Sequence, residues 1–202
     1  RCPVVLNLQD ILPEAAVHTG LLTNKTMIRV FEALEKFAYK TAHKISVISD
    51  VFVDNLTSKG VKEDKIALIP NWVDVNFIRP LPKENNAFRQ TYQLEGKFVV
   101  LYSGNIALTQ GLETAIDAAV RLRHIKDIVF TIVGEEKALN RLHQYCEDRG
   151  ADNVRLVPFQ PREKLPEMLA AADVGLIVQK KNVIAFNMPS KTQVLLASGR
   201  PI

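Results

Sequence analysis

Apolar and polar positions along this chain change period from block to block, and those changes predict the elements. The run Pro3-Val4-Val5-Leu6-Asn7-Leu8 is short and apolar, and it ends in Gln9-Asp10 and then Pro13-Glu14. That is the pattern of a buried strand delivering polar groups at its C-terminal end. Residues 15–25 hold Gly20, Thr23 and Asn24 and read as a loop with a short helical turn. From 26 to 42 the apolar spacing becomes helical, with Ile28, Phe31, Leu34, Ala38 and Ala42, and with Glu35 in the same stripe. A strand is predicted over 45–48, then a helix capped by Ser49-Asp50, running to about 59 and stopped by Gly60. Another strand over 65–69 runs into Pro70-Asn71-Trp72-Val73-Asp74.

The texture then changes. Residues 79–86 carry Pro80 and Pro82 among polar residues without periodicity, the composition of a linker. A second series follows: a helix near 87–92, a strand over 98–102, the tight loop Ser103-Gly104-Asn105, and a helix opened by Gly111 and running to about 125. Next come a strand over 127–133, a turn at Gly134-Glu135-Glu136, a helix to about 149 and a strand over 154–157. A helix near 163–171, a strand over 174–178, a long loop and a helix over 191–198 stopped by Gly199 complete the series. Strands alternating with helices at this spacing predict an α/β fold with parallel sheets of βαβ units. The expected organisation is two Rossmann-like domains, both incomplete: 1–78, a linker at 79–86, and 87–202.

Composition narrows the function classes without choosing among them. At 202 residues, 47% hydrophobic and 24% charged, the chain has an ordinary globular make-up. No apolar run approaches the ~18 residues of a membrane span. The formal charge of +4 is spread along the chain, which fits anionic ligands or a peripheral membrane contact and does not support nucleic-acid binding. Cys2 and Cys146 are the only cysteines, without C-x-x-C spacing or a histidine cluster, so no disulfide framework or structural zinc is expected and a reducing cytoplasm fits.

Candidate chemistry gathers at the strand ends, where open α/β sheets bind ligands. Ser103-Gly104-Asn105, between a strand and a helix, is either a phosphate-cradling turn or a structural one; the full G-x-G-x-x-G fingerprint is absent. Glu135, after Gly134, either binds ribose hydroxyls or caps the next helix. Pro189 and Ser190 suit a helix N-terminus, and Lys191 in its first turn is placed for phosphate or is a surface lysine. Gln9, Asp10 and Glu14 offer acid, base or hydroxyl-binding groups, and Asp50 reads as a cap. Of the histidines, His18 follows a strand end, whereas His124 and His143 read as solvent-facing. No two carboxylates are spaced D-x-D or E-x-D, so no metal is expected on a nucleotide diphosphate.

The order of these signals is more specific than any one of them. Pro70-Asn71-Trp72-Val73-Asp74, Ser103-Gly104-Asn105, Gln110-Gly111-Leu112-Glu113, Val133-Gly134, Ala171-Ala172-Asp173-Val174, Pro189-Ser190-Lys191 and Gly199-Arg200-Pro201 occur in that sequence. The series resembles family 4 glycosyltransferases, the retaining GT-B enzymes. It is most similar to bacterial members of the fucosyl- and N-acetylfucosaminyltransferase type that build colanic acid, capsule or O-antigen polysaccharide. The resemblance covers nearly the whole chain and implies about half of an enzyme. The opening strands and glycine-rich acceptor loop of the N-terminal domain, and the end of the C-terminal one, would lie outside it.

The same resemblance implies roles. Gly104 and the helix beginning near Ser190 would hold the diphosphate through backbone N–H groups, and Pro158-Phe159-Gln160 would contact the base. Lys191 would neutralise charge on the leaving diphosphate in place of a metal, so no metal or other cofactor is expected. The donor sugar would lie between Asn187-Met188-Pro189 and the Gln9-Asp10 strand end. Partners would be a nucleotide-sugar and a lipid-linked saccharide acceptor, with peripheral contact at the cytoplasmic face of the inner membrane. The sequence departs from the family at three places. Gln9-Asp10 stands where His-Asp is usual, neutral Asn105 and Gln110 stand where Arg and Lys clamp the diphosphate, and Phe186 and Val194 stand where an E-x7-E pair falls. Two competing classes are a non-catalytic nucleotide-sugar-binding protein of GT-B form and a nucleotide-sugar epimerase using Asp10, Glu14 and His18.

Overall fold

The computed structural model describes residues 2–107, 110–180 and 188–202. Two compact units form, one from the chain through Asn71 and the other from Trp72–Val178 with Pro189–Ile202. In the first, β1 (Val5–Asn7), β2 (Lys44–Val47) and β3 (Ile66–Leu68) make a parallel sheet in that order, with Leu6 opposite Ile45 and Ile45 opposite Ile66. The intervening helices are α1 (Glu14–His18), α2 (Lys25–Thr41) and α3 (Asp50–Ser58). Asn24 caps α2, its side-chain oxygen accepting from the N–H groups of Thr26 and Met27. At α3 the structure differs from expectation, because neither Ser49 nor Asp50 caps with its side chain.

The apolar stripe of α2 is real but mostly unburied. Tyr39 alone within the helix is buried; it joins Ala42, Ile45, Val47, Phe52 and Leu56 in the core, whereas Phe31, Leu34 and Phe37 stay exposed. Only the last turn of the helix therefore meets the sheet. Glu35 in the stripe accepts the Tyr39 hydroxyl at 2.7 Å and pairs with Lys59 at 2.6 Å, so a carboxylate occupies a core-facing position without being orphaned.

In the second unit α4 (Ala87–Thr91) precedes β4 (Phe98–Ser103), α5 (Leu112–Leu122), β5 (Ile128–Gly134), α6 (Glu136–Arg149), β6 (Val154–Pro158), α7 (Leu165–Ala170), β7 (Val174–Gly175) and α8 (Lys191–Ala197). The strands are all parallel, in the order β6-β5-β4-β7. Alternation along β4 and β5 sends Val99, Leu101, Val129 and Val133 into one core with Met168 and Leu195. Tyr102, Phe130 and Ile132 go into the other core, with Ile116 and Leu142. The strand β7 is shorter than the predicted 174–178. Its pairing with β4 stops after the Leu176 N–H reaches the Leu101 carbonyl, and Gly175 donates instead to Pro201.

One carboxylate ties this unit together. Asp173, just ahead of β7, accepts from the Arg89 guanidinium at 2.6 Å, from Lys83 at 2.5 Å and from the Val99 N–H at 2.8 Å. Arg89 is itself buried and gives its other donors to the carbonyls of Leu94, Lys97 and Ala171. Residues of the segment 79–86 are thereby fastened to the second unit; Asn86 also donates to the Glu167 carbonyl, and Arg200 donates to that of Leu81. Burial pushes the Asp173 carboxyl up, but hydrogen bonds from Lys83, Val99 and Arg89 outweigh it and hold the group below the usual range.

A carboxyl lowered by folding stabilises above its unfolded value and loses that contribution as pH falls through the folded one. The second unit should therefore lose stability progressively below about pH 4. Asp173→Asn should remove most of that acid sensitivity and cost about 3 kcal/mol at neutral pH by leaving Arg89 buried and unpaired. Urea denaturation across pH checks both; an Asn variant as stable as the parent would contradict them.

Candidate functional site

The order β6-β5-β4-β7 reverses direction beside β4, because the chain moves from β4 out to β6 and then returns to the other side for β7. In open parallel sheets such a switch point, at the C-terminal ends of the strands, is where ligands bind. A cavity of about 200 Å³ lies at this place, with apolar walls that include Leu165, Leu169 and Leu176 and a rim formed by Ser103, Gly104, Ser190 and Lys191. The lining fits an aromatic or sugar face within and an anion at the rim.

Glycine makes this edge possible. Gly104, with φ +137°, donates to the Val133 carbonyl at 3.0 Å, which draws the β4 loop over the end of β5. A Cβ at Gly104 would stand 2.3 Å from Cε and 3.0 Å from Nζ of Lys191. The side chain of Lys191, at the start of α8, takes this space beside the Gly104 backbone. Likewise a Cβ at Gly134 would stand 2.2 Å from Ile106, the side chain that follows the loop into the core. Lys191 runs on to place Nζ 4.9 Å from the Tyr102 ring centroid. Burial lowers the Lys191 ammonium below the ordinary lysine value, and burial raises the Tyr102 phenol to about 12. The phenol donates to the Asn105 carbonyl at 2.7 Å.

Other predicted residues fall in different places. Ser190 is exposed at the rim and does not cap α8 with its side chain; Pro189 precedes it, half-buried. Asn105 is exposed, and Gln110 is half-buried with its N–H on Ala107. Gly111 is buried at φ +66° immediately before α5, a left-handed position that suits glycine. Glu135 is exposed and does not cap α6 with its side chain, so the capping alternative does not describe it. Phe159, half exposed, follows β6 with its N–H on the Gly134 carbonyl. Gln160 donates to the Tyr92 hydroxyl and to Pro158, and lines a separate small cavity. The Lys191 cavity therefore does not include Phe159 or Gln160 in its lining.

Gln9 and Asp10 belong to the first unit, exposed after β1, where the Gln9 amide donates to Asn7 at 3.2 Å. Glu14 accepts from Asn55 and pairs with Lys59, a role within the first unit's packing. His18, His124 and His143 are exposed. Asn187 lies outside the described residues. Among the described residues no three His, Cys, Asp or Glu side chains gather as metal ligands, and no helix is long and apolar enough to cross a membrane. Sequence reasoning missed Tyr102. The available signal was an aromatic hydroxyl following the aliphatic run Val99-Val100-Leu101, directly ahead of Ser103-Gly104.

Solved glycosyltransferases of the GT-B fold share this architecture. The crystal structure of Anabaena HepE in complex with UDP-glucose superposes with a TM-score of 0.77 over 100% of this chain and 52% of that one, at 21% identity. The structure of WaaG, a glycosyltransferase involved in lipopolysaccharide biosynthesis, gives a TM-score of 0.71 over 98% of this chain and 55% of that one, at 16% identity. Residues 83–181 match the family of glycosyl transferases group 1. The chain is 32% identical over 200 residues to the "Putative colanic acid biosynthesis glycosyl transferase WcaI" of Escherichia coli (strain K12), covering 96% of this chain and 49% of that protein. It is 25% identical over 199 residues to the "Probable glycosyltransferase WbjE" of Pseudomonas aeruginosa, covering 98% and 50%. The chain thus spans about half the length of the curated relatives it matches. These likenesses support the group 1 glycosyltransferase family, with the GT-B fold.

The glycine at 104 gives a direct test of the site's packing. Gly104→Ala should cost about 1–3 kcal/mol through its backbone angle alone, and more through displacement of Lys191. In a Lys191→Ala background the second part should vanish, so the same substitution should be milder there. Equal thermal shifts in the two backgrounds would mean that the glycine does not serve the lysine.

Proposed function

We propose that this chain is part of a metal-independent, retaining glycosyltransferase. It moves a hexose or deoxyhexose, fucose-like sugars included, from a UDP- or GDP-sugar to a lipid-linked or growing cell-surface polysaccharide. The observation that carries this reading is Lys191, laid across Gly104 at the rim of the apolar cavity at the sheet's switch point. The relative named for colanic acid biosynthesis supports the polysaccharide acceptor, and the UDP-glucose complex of the HepE structure supports a nucleotide-sugar donor. The lipid-linked acceptor would bring the protein to the cytoplasmic face of the membrane.

In the proposed reaction the bond between the anomeric carbon and the diphosphate oxygen breaks, and its electron pair leaves on the diphosphate. The acceptor oxygen bonds the anomeric carbon from the face the nucleotide leaves, and its proton departs. Lys191 stabilises the charge developing on the diphosphate, and a partly desolvated ammonium does so more strongly than one in water. The loop backbone at Gly104 and Asn105 would lie along the diphosphate, with Gln110, Gly111, Gly134, Ser190 and Pro189 around it. Glu135 would meet the ribose, and Phe159 and Gln160 the base. Gln9 and Asp10 are proposed for the acceptor side. A second reading, a nucleotide-sugar-binding protein without turnover, is favoured by the neutral, exposed Asn105 where the family carries a cation.

Calorimetric titration with UDP, GDP and ADP, with and without magnesium, tests the reading. One nucleotide should bind preferentially and indifferently to magnesium. Lys191→Ala should weaken it by about tenfold to a hundredfold, or about 1.4–2.7 kcal/mol, while thermal stability is kept. Because the ammonium is lowered by burial, affinity should fall with rising pH before the ordinary lysine value of about 10.4 is reached. Nucleotide release that depends on added acceptor separates transfer from binding alone; its absence in the complete protein would favour the second reading.

A further inference from the structure

The route by which Lys191 reaches its place assigns a role to Tyr102. The helix α8 packs through Val194 and Leu195 on the face of the sheet that carries Val99, Leu101 and Val133. Tyr102 belongs to the opposite face, among Ile116, Phe130 and Ile132. The lysine therefore crosses the edge of the sheet, and it crosses at Gly104, where its Cε fills the place of a missing side chain. Its ammonium comes to rest 4.9 Å from the centroid of the Tyr102 ring.

Lys191 is half-buried, and an ammonium drawn out of water is ordinarily held by a carboxylate. Among the described residues Lys191 has no such partner. Partial burial lowers its pKa, with no charged side chain among the described residues contributing. The elements packed around it present Tyr102 and Ser103 from β4, Leu165 and Leu169 from α7, and Ser190 and Val194 from its own end of α8. Tyr102 is the one titratable group in this set, and with its phenol raised to about 12 it stays neutral. The distinction matters for chemistry. A carboxylate here would hold the cation by cancelling its charge and would repel a diphosphate. An aromatic face attracts the cation through its quadrupole and leaves the full positive charge available to an incoming anion.

The other end of the same side chain is also engaged. The Tyr102 hydroxyl donates to the Asn105 carbonyl at 2.7 Å, and Tyr102 is fully buried, so ring and hydroxyl share one fixed position. We infer that Tyr102 is the positioning residue of the donor site: its ring holds the Lys191 ammonium across Gly104 while its hydroxyl holds the Gly104–Asn105 loop, so that cation and loop backbone meet a nucleotide diphosphate as one preformed surface. The inference rests on the donor-site reading given above. Tyr102 touches neither the reacting atoms nor the nucleotide; it acts through Lys191 and the loop.

The two halves of the role separate in two variants of the full chain. Tyr102→Phe keeps the ring and removes the hydroxyl; Tyr102→Leu keeps apolar bulk and removes both. The Lys191 side chain is followed by NMR in the ligand-free protein, and UDP and GDP affinities by calorimetry. In the parent and in Tyr102→Phe, the Lys191 Cε protons should be shifted upfield by the ring and the ammonium should titrate alike. In Tyr102→Leu the upfield shift should vanish and the ammonium should titrate at lower pH. Nucleotide affinity should fall about threefold in the Phe variant and about tenfold or more in the Leu variant. Should the Leu variant fail to fold, the ring shift in the parent still decides, since unshifted Cε protons there would overturn the inference. An unchanged Lys191 titration in a folded Leu variant would overturn it too. A parent protein that binds no nucleotide would instead sink the donor-site reading, and the ammonium titration would still judge the Tyr102–Lys191 pair.

Discussion

The lysine at the start of α8 meets the end of β4 only because Gly104 has no side chain. That missing atom lets one residue join both faces of the sheet, and the candidate site depends on the junction. The same device recurs along the sheet edge. At Gly134 the vacant Cβ position is taken by Ile106, and at Gly175 by Leu195, whose Cδ2 would lie 2.4 Å from a Cβ there. Each strand-end glycine thus receives a side chain from a loop or helix that must sit close to the backbone. Close packing of this kind stiffens the loops that leave the strands. A loop held in place before a ligand arrives loses less freedom when the ligand binds.

Charge is handled differently at the two poles of the second unit. At the N-terminal end of β4, Asp173 is satisfied by a guanidinium, an ammonium and a backbone N–H, so its charge is consumed by structure. At the C-terminal end, Lys191 is half-buried beside a neutral ring and its charge remains unspent. Both groups are desolvated, and both keep their ionised form against that cost. A neutralised ion supports the fold, whereas an ion held without neutralisation can serve a ligand.

Much of the fold was legible because period follows geometry. Strand runs such as 98–102 and 127–133, and helices such as 26–42, fall close to their predicted places, since a βαβ chain must alternate between the two periods. Gly104 and Lys191 were also legible as positions, each at an element end next to polar residues. Their contact was not, because 87 residues of spacing carry no local signal and the glycine's occupant comes from another helix. Tyr102 reads as core from sequence, and it is core; only the third dimension reveals the cation over its ring. Phe159 and Gln160 were placed by resemblance, and the bond from the Gln160 amide to the Tyr92 hydroxyl had no signal in the sequence. The cap expected at Ser49, and the capping alternative at Glu135, are not made, because a polar residue at a helix start need not turn its side chain back to the first N–H groups. The exposed stripe of α2 shows the converse, that amphipathic spacing predicts a helix without saying what will cover it.

The bonds of Asp173 have a consequence for synthesis on the ribosome. Its partners Lys83, Arg89 and Val99 precede it by 90, 84 and 74 residues. While the chain emerges, β4, β5 and β6 are all present before the carboxylate that compensates Arg89. Docking α4 on the sheet at that stage would bury a guanidinium without its counter-charge, so the early strands lack the reward for closing. The contacts that compensate Arg89 and Lys83 can therefore form only once residue 173 has joined the chain, directly ahead of the strand that pairs beside β4. A late-arriving counter-ion thus couples the docking of α4 to the arrival of β7 beside β4.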